Sequence, residues 1–313
     1  MSVVIAAFNA ERWIRETIKS VLSQTYKDFE LIVVDDGSND ATGRIVQEFG
    51  DKIRYFYQIN LGQPAARNVG IRAARGQYIA FIDADDLWLP SKLDCQLKLI
   101  DQTGSAWAYC DAHIFDMETQ TVRWTTSQIY TLVEGDVLRP LLLNSFIASP
   151  TPLIRRDVFK TVGYFDESVD RRIGEDWNMW LRIASRYPVV CLREPLAIVR
   201  SHSASMIRKM DLDNALSSRL LIINDAVERN PGRLQDLKRQ ALSRAYVESG
   251  KYALARGRHA EARQMFVQAI KHSPVRFPAW FCYVVSFLPR PLINRFRKLR
   301  RRINRQGKIR LTV

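Results

Sequence analysis

Three carboxylates close a short apolar run in FIDADDLW, residues 81–88: Asp83, Asp85 and Asp86. Left without partners, they repel one another. Solvent can screen them. Alternatively, a hard divalent cation can take one or two as oxygen ligands and complete its shell with water and substrate phosphates. A second acidic pair ends another apolar run, in Asp35-Asp36-Gly37-Ser38; Asp and Ser are also ordinary turn and cap residues there. A further carboxylate, Asp176 of Glu175-Asp176, opens a helical pattern. The helix dipole favours its ionised form. Simple N-capping, or pairing with Arg171, Arg172 or Arg182, would also explain it.

The elements that must position these groups alternate. Residues 2–7 read as a buried strand, followed by a helix with Trp13, Ile14, Ile18, Val21 and Leu22 on one face. Phe29–Val34 is a second strand and Ile53–Tyr57 a third, with a short helix through Ile45 and Phe49 between them. Pro64–Ala74 reads as a helix, Tyr78–Ile82 as a strand, Ser91–Ile100 as a helix and Ala106–Cys110 as a strand. Beyond residue 111 the pattern is irregular until a helix over Asp176–Ser185 and two short strands within Pro188–Arg200. Alternation of this kind predicts an α/β fold with a mainly parallel sheet and flanking helices. Ligands of such sheets bind outside the carboxyl ends of the strands. Ala6–Asn9, Asp35-Asp36 and Asp83–Asp86 all fall on that edge.

Three stretches, VVIAAFNAERWIRETIKSVLSQTYKDFELIVVDDGSNDAT, GQPAARNVGIRAARGQYIAFIDADDLW and GEDWNMWLRIA, together resemble family-2 glycosyltransferases of the GT-A, Rossmann-like fold, of the bacterial polysaccharide type. The resemblance implies inverting transfer of one sugar from a nucleotide-diphosphate sugar, expected to be a UDP-sugar, to an acceptor hydroxyl. It implies that Ala6 and Phe8 lie against the donor base and that Asp36 hydrogen-bonds the base's pyrimidine edge. Arg67 would sit near the base or diphosphate, and Asp83 near the ribose or sugar. Asp85 and Asp86 align with acids that hold Mg²⁺ or Mn²⁺, and Asp176 with the catalytic base. Glu175 and His202 are further candidates; Arg200, His202 and Ser205 match an Arg-x-His-x-x-Ser pattern, although a hydrogen-bonded loop histidine also fits. The family often has Pro at Ala7 and Tyr at Phe8. QTVRW, Gln120–Trp124, matches a motif of processive synthases but precedes Asp176 instead of following it. A nucleotidyltransferase would need a Gly-rich loop where Ala6–Ala10 stand. The non-enzymatic alternative is a helical-repeat binding protein with a degenerate transferase domain.

The 313 residues are 47% apolar, enough for a full core. From Arg290 to Arg310 there are ten Lys or Arg and no acid; taking that run from the formal +14 leaves +4 elsewhere. The four cysteines form no C-x-x-C pair, which suggests reduced core residues and a cytoplasmic setting. The apolar run Phe277–Leu288 is twelve residues, against roughly 20 for a membrane span. Aromatics followed by cations point to an anionic membrane surface, the inner face, with a glycan or lipid-linked acceptor. A merely solvated tail competes with this reading, and nucleic acid is not an expected partner. The expected organisation is a transferase domain over 1–205, a helical region over 206–275 and an aromatic, basic tail over 276–313. The segment AYVESGKYALARGRHAEARQMFVQAIKHSP resembles one tetratricopeptide-type helical pair. A stable array needs three or more repeats, so a helical cap is the simpler reading.

Overall fold

The computed structural model describes residues 1–168, 174–202, 212–275 and 277–288. Arg171, Arg172, Ser205 and the cationic run from Arg290 lie outside them. The chain divides into two compact units, Met1–His202 and Ser203–Val313.

The first unit contains strands β1 (Ser2–Ala7), β2 (Glu30–Asp35), β3 (Arg54–Tyr57), β4 (Tyr78–Asp83), β5 (Leu87–Trp88), β6 (Trp107–Asp116), β7 (Thr121–Thr125), β8 (Leu153–Arg155) and β9 (Val190–Ser201). Its helices are α1 (Ile14–Leu22), α2 (Thr42–Gln47), α3 (Gln63–Ala73), α4 (Lys92–Thr103), α5 (Thr126–Ile129), α6 (Leu138–Leu143), α7 (Val158–Val162) and α8 (Glu175–Ala184). Among the described residues the strands form one sheet in the order β3-β2-β1-β4-β8-β6-β9-β5, with β7 paired to β6. The β3-β2-β1-β4 portion is parallel. Beyond it β8 runs antiparallel to β4 and β6, and β9 runs parallel to β6. The α/β class expected from the alternation of elements is the one observed.

Both faces of β1, β2 and β4 are covered, which is why these strands read as largely continuous apolar runs, whereas the edge strand β3 is only partly buried. On one face Val3, Ile5, Leu31 and Val33 join Ile14, Ile18 and Val21 of α1 in a common core. On the other, α3 comes so close that a Cβ on Gly70 would lie 2.3 Å from Val4 Cγ1. Phe81 meets Phe165 edge-on at 5.3 Å, and Trp107 stacks with Trp180 of α8 at 6.4 Å.

Sequence reading divided Pro188–Arg200 into two short strands; a single twelve-residue strand, β9, occupies Val190–Ser201. Pro195 pairs with Asp111 between two register shifts, so the bulge absorbs a residue that cannot donate to the ladder. The irregular stretch after residue 111 contains the β6–β7 hairpin. Gln120 of QTVRW holds the turn at φ 52, and Arg123 pairs back to Asp116.

The second unit is helical wherever it is described: α9 (Leu212–Arg229), α10 (Pro231–Leu234), α11 (Lys238–Ala255), α12 (His259–His272) and α13 (Phe277–Val285). Helices α11 and α12 pack through a small-against-large contact. A Cβ on Gly250 would lie 2.5 Å from the Phe266 ring, and Ala253, Ala262 and Met265 fill the seam.

Candidate active site

Parallel pairing delivers four strand ends to one edge. Ala6 pairs with Asp83, Ala7 with Asp35, and Asp35 with Tyr57. Ala6 is buried, while the next exposed side chain, Phe8, keeps 49% of its surface. The Asp36 amide donates to the Ala7 carbonyl at 2.8 Å. The Asp36 carboxylate accepts from Gln58 Nε2 at 2.6 Å and from the amides of Leu61 at 2.9 Å and Gly62 at 2.8 Å. An ionised carboxylate offers roughly four acceptor positions. Asp36 therefore ties down the loop before α3 and keeps one position, on Oδ2, for an incoming N–H. Gly37 makes this possible: at φ 78 its missing Cβ would stand 2.7 Å from the Asn60 nitrogen.

Arg67 of α3 is the hub of a buried network. Its Nη2 donates to Asp83 Oδ1 at 2.6 Å and to Ser149 Oγ at 2.8 Å; its Nη1 donates to Glu175 Oε1 at 2.8 Å. Gln63 Nε2 adds a 2.7 Å bond to Asp83 Oδ1. The guanidinium also sits 5.3 Å over the Phe165 ring. Its planar fork suits three acceptors at once, which a lysine ammonium would meet less well. Arg67 is thus enclosed by carboxylates from β4 and α8, with Asp83 half-buried.

Both acids at the start of α8 sit in the field of Arg67. Gly174 enters the helix with φ 85, a left-handed conformation suited to glycine. Burial pushes the Glu175 carboxyl up to about 7, against the pull of Arg67. Burial also raises the Asp176 carboxyl, again opposed by Arg67. Asp176 Oδ1 accepts the Trp177 amide at 2.7 Å. Trp177 Nε1 donates to the Leu141 carbonyl at 2.8 Å, anchoring this first turn.

The acidic loop is held from two sides. The Thr17 hydroxyl of α1 lies 2.8 Å from the carbonyls of both Ala84 and Asp86. From β9, the Arg200 amide donates to Asp86 Oδ1 at 2.9 Å, and the Arg200 guanidinium bonds the Asp85 carbonyl and Glu16. His202 stacks on Trp13 at 4.6 Å, and its Nε2 is 3.0 Å from Asp85 Oδ2. Asp86 is buried, and burial drives its carboxyl well above the usual carboxylate range; Asp85 and Asp83 push the same way.

The loop thus turns Asp86 inward and leaves Asp85, one-third exposed, beside His202. Among the described residues no group of three or more His, Cys, Asp or Glu converges on a metal position. The exposed carboxylate of Asp85 fits a hard cation that draws the rest of its shell from phosphate and water. It does not make an all-protein cage.

Sequence reading missed Gln58, Gln63, Ser149 and the loop amides of residues 61 and 62. Their contacts span up to 82 positions and leave no local signature. A separate groove of about 850 Å³, lined by Glu30, Arg54, Arg75, Tyr78 and Asp101, opens at the opposite ends of β1, β2 and β4 and touches none of these groups.

The family model for glycosyl transferase family 2 matches residues 2–163, more than half of the chain. An uncharacterized glycosyltransferase from Rickettsia typhi is 36% identical over 193 residues, covering 60% of each protein. A second, from Rickettsia conorii, is 34% identical over 64% of this chain but only 32% of its own length. The Escherichia coli UDP-Glc:alpha-D-GlcNAc-diphosphoundecaprenol beta-1,3-glucosyltransferase WfaP is 29% identical over 59% of this chain and 70% of that protein. Staphylococcus aureus TarS 1–349 in complex with UDP-GlcNAc superposes with a TM-score of 0.66 at 18% identity, covering 95% of this chain and 91% of that one. A Pyrobaculum calidifontis mannosyltransferase in complex with GDP-Man and Mn²⁺ gives 0.62 at 16% identity over 97% and 84%. These likenesses show the GT-A fold. With the strand-end carboxylates placed and the family model matched across them, the chain belongs to glycosyl transferase family 2.

Proposed function

We propose that the chain is an inverting, divalent-cation-dependent glycosyltransferase that moves one sugar from a UDP-sugar to an acceptor hydroxyl in cell-surface glycan synthesis. The observation that carries this reading is the Arg67 bridge, which ties the strand-end Asp83 to Glu175 beside Asp176. Donor-edge residues and a helix-borne base thereby share one framework. The likenesses support the substrate class: TarS is complexed with UDP-GlcNAc, and WfaP acts on a lipid-linked acceptor.

In this reading Phe8 offers a ring face to the base, and the free acceptor position of Asp36 takes a base N–H. Asp83, oriented by Arg67 and Gln63, meets the ribose or sugar. Of the two acids expected to hold the metal, Asp85 and Asp86, the exposed Asp85 would hold Mg²⁺ or Mn²⁺ with His202 at its side, and the ion would supply charge neutralisation for the departing diphosphate. Asp86 fixes the loop from beneath through the Arg200 amide. Asp176 takes the proton of the acceptor hydroxyl as its oxygen bonds the anomeric carbon. The carbon–oxygen bond to the diphosphate breaks on the opposite face, so the anomeric centre inverts. A raised carboxyl value brings this base closer to neutral pH, where general-base transfer is efficient. Residues 1–205 form the transferase part, 206–275 a helical region, and the cations after it hold the protein on the inner membrane surface near a lipid-linked acceptor.

Release of UDP from a panel of UDP-sugars tests the reading. Asp176→Asn lowers the rate by about 10²–10⁴-fold, and Asp85→Ala removes stimulation by Mn²⁺. Unchanged turnover in both variants excludes this site.

A further inference from the structure

Helix α13 is amphipathic in an inverted sense. Phe277, Trp280, Phe281, Val284 and Phe287 are 74%, 47%, 56%, 63% and 60% exposed. Within α13, the spacing of three, four and seven from Phe277 places Trp280, Phe281 and Val284 with it on one arc, and Phe287 follows in the turn after the helix. The opposite arc packs inward: Ala279 is fully buried, Cys282 lies beside it against Val247 and Ala269, and Tyr283 and Val285 meet the cluster around Ala253 and Phe266. The second unit therefore packs one arc of this helix inward and leaves Phe277, Trp280, Phe281 and Val284 outward. A contiguous patch of that kind marks an interaction surface.

Charge says what covers it. No acid occurs between Phe277 and Leu288, and ten Lys or Arg without an acid follow from Arg290 to Arg310. A groove of about 330 Å³ beside α13, lined by Arg263, Gln264, Gln268, Tyr283 and Phe287, likewise has no carboxylate. Arg263 lies 5.0 Å over the Phe287 ring, at the margin of the apolar arc. Aromatic side chains bordered by cations match the boundary between acyl chains and anionic headgroups. Among the described residues no helix is long and apolar enough to cross a membrane, and α13 has nine residues.

We propose that α13 lies in the plane of an anionic phospholipid surface and inserts Phe277, Trp280, Phe281 and Val284 below the headgroups. This deepens the membrane reading above and rests on it: the cations supply long-range attraction, and the aromatic face supplies the insertion.

The test uses the full chain and vesicles of equal parts phosphatidylcholine and phosphatidylglycerol. Co-sedimentation of the Phe281→Ser/Val284→Ser variant shows a partition coefficient at least about tenfold below that of the unsubstituted chain, with an unchanged thermal melt. In high salt the unsubstituted chain keeps measurable binding and the variant does not. Acyl chains brominated near the headgroup quench a fluorescence component that Trp280→Phe removes; this readout decides the matter even if the double variant misfolds. Equal binding by variant and parent, or absent Trp280 quenching, overturns insertion while leaving electrostatic attachment standing. Failure of the parent to bind anionic vesicles in low salt overturns both. If the variant instead turns a lipid-free dimer into a monomer, the face is a contact between two copies and the proposal falls.

Discussion

At the scale of single residues, Arg67 is the most consequential side chain in the fold. It is almost fully buried, with carboxylates on both sides. Arg67→Ala leaves Asp83 without its cation and Glu175 without its hydrogen-bond donor, and urea unfolding will show a loss of about 3–5 kcal/mol. Arg67→Lys recovers only part of it, since one ammonium cannot reproduce the fork. Glu175 carries a pH signature. Its folded carboxyl stands at about 7 against an ordinary 4.5, so the folded state binds this proton more tightly than the unfolded chain. Stability from this group is present below the ordinary value and is lost as pH rises toward the folded one. Thermal melts will therefore show the parent losing stability between about pH 4.5 and 7 relative to Glu175→Gln. A parallel pH dependence in the two proteins contradicts the assignment. Asp36 and Arg67 were legible in the sequence as site candidates because they fall in motifs. Their working partners were not, since Gln58, Ser149 and the amide of Gly62 are ordinary residues made relevant only by folding.

At the scale of elements, β1, β2 and β4 were readable because burial on both faces makes a strand a largely uninterrupted apolar run. The register follows from the pairing and brings Ala6 beside Asp83. Strand β9 was harder to read. The sequence reads as two short strands within Pro188–Arg200, yet the ladder bulges at Pro195 and continues. That continuity matters, because the far end of β9 carries Arg200 and His202 to the acidic loop. Helix α3 must approach β1 closely to place Arg67, and Gly70 permits it. Gly70→Ala forces Val4 or α3 to shift and will cost about 1–3 kcal/mol in denaturant unfolding, the usual range for overpacking. An unchanged midpoint would mean that α3 does not need this close approach.

At the scale of the whole molecule, the charge is divided. The run from Arg290 to Arg310 carries most of the formal +14, and the chain separates into two compact units after His202. The division of charge was legible from composition alone. The outward aromatic face of α13 was not, because a short apolar run reads equally well as a core helix until its packing is known. The central claim is that the loop at Asp85 grips a nucleotide diphosphate through a divalent ion. Calorimetric titration of UDP, with and without Mn²⁺, into the parent protein and Asp85→Ala tests it most directly. Mn²⁺ should tighten UDP binding by about tenfold or more in the parent, the scale of one added charge contact, and by nothing measurable in Asp85→Ala. Equal enhancement by Mn²⁺ in both proteins, or none in the parent, would contradict it.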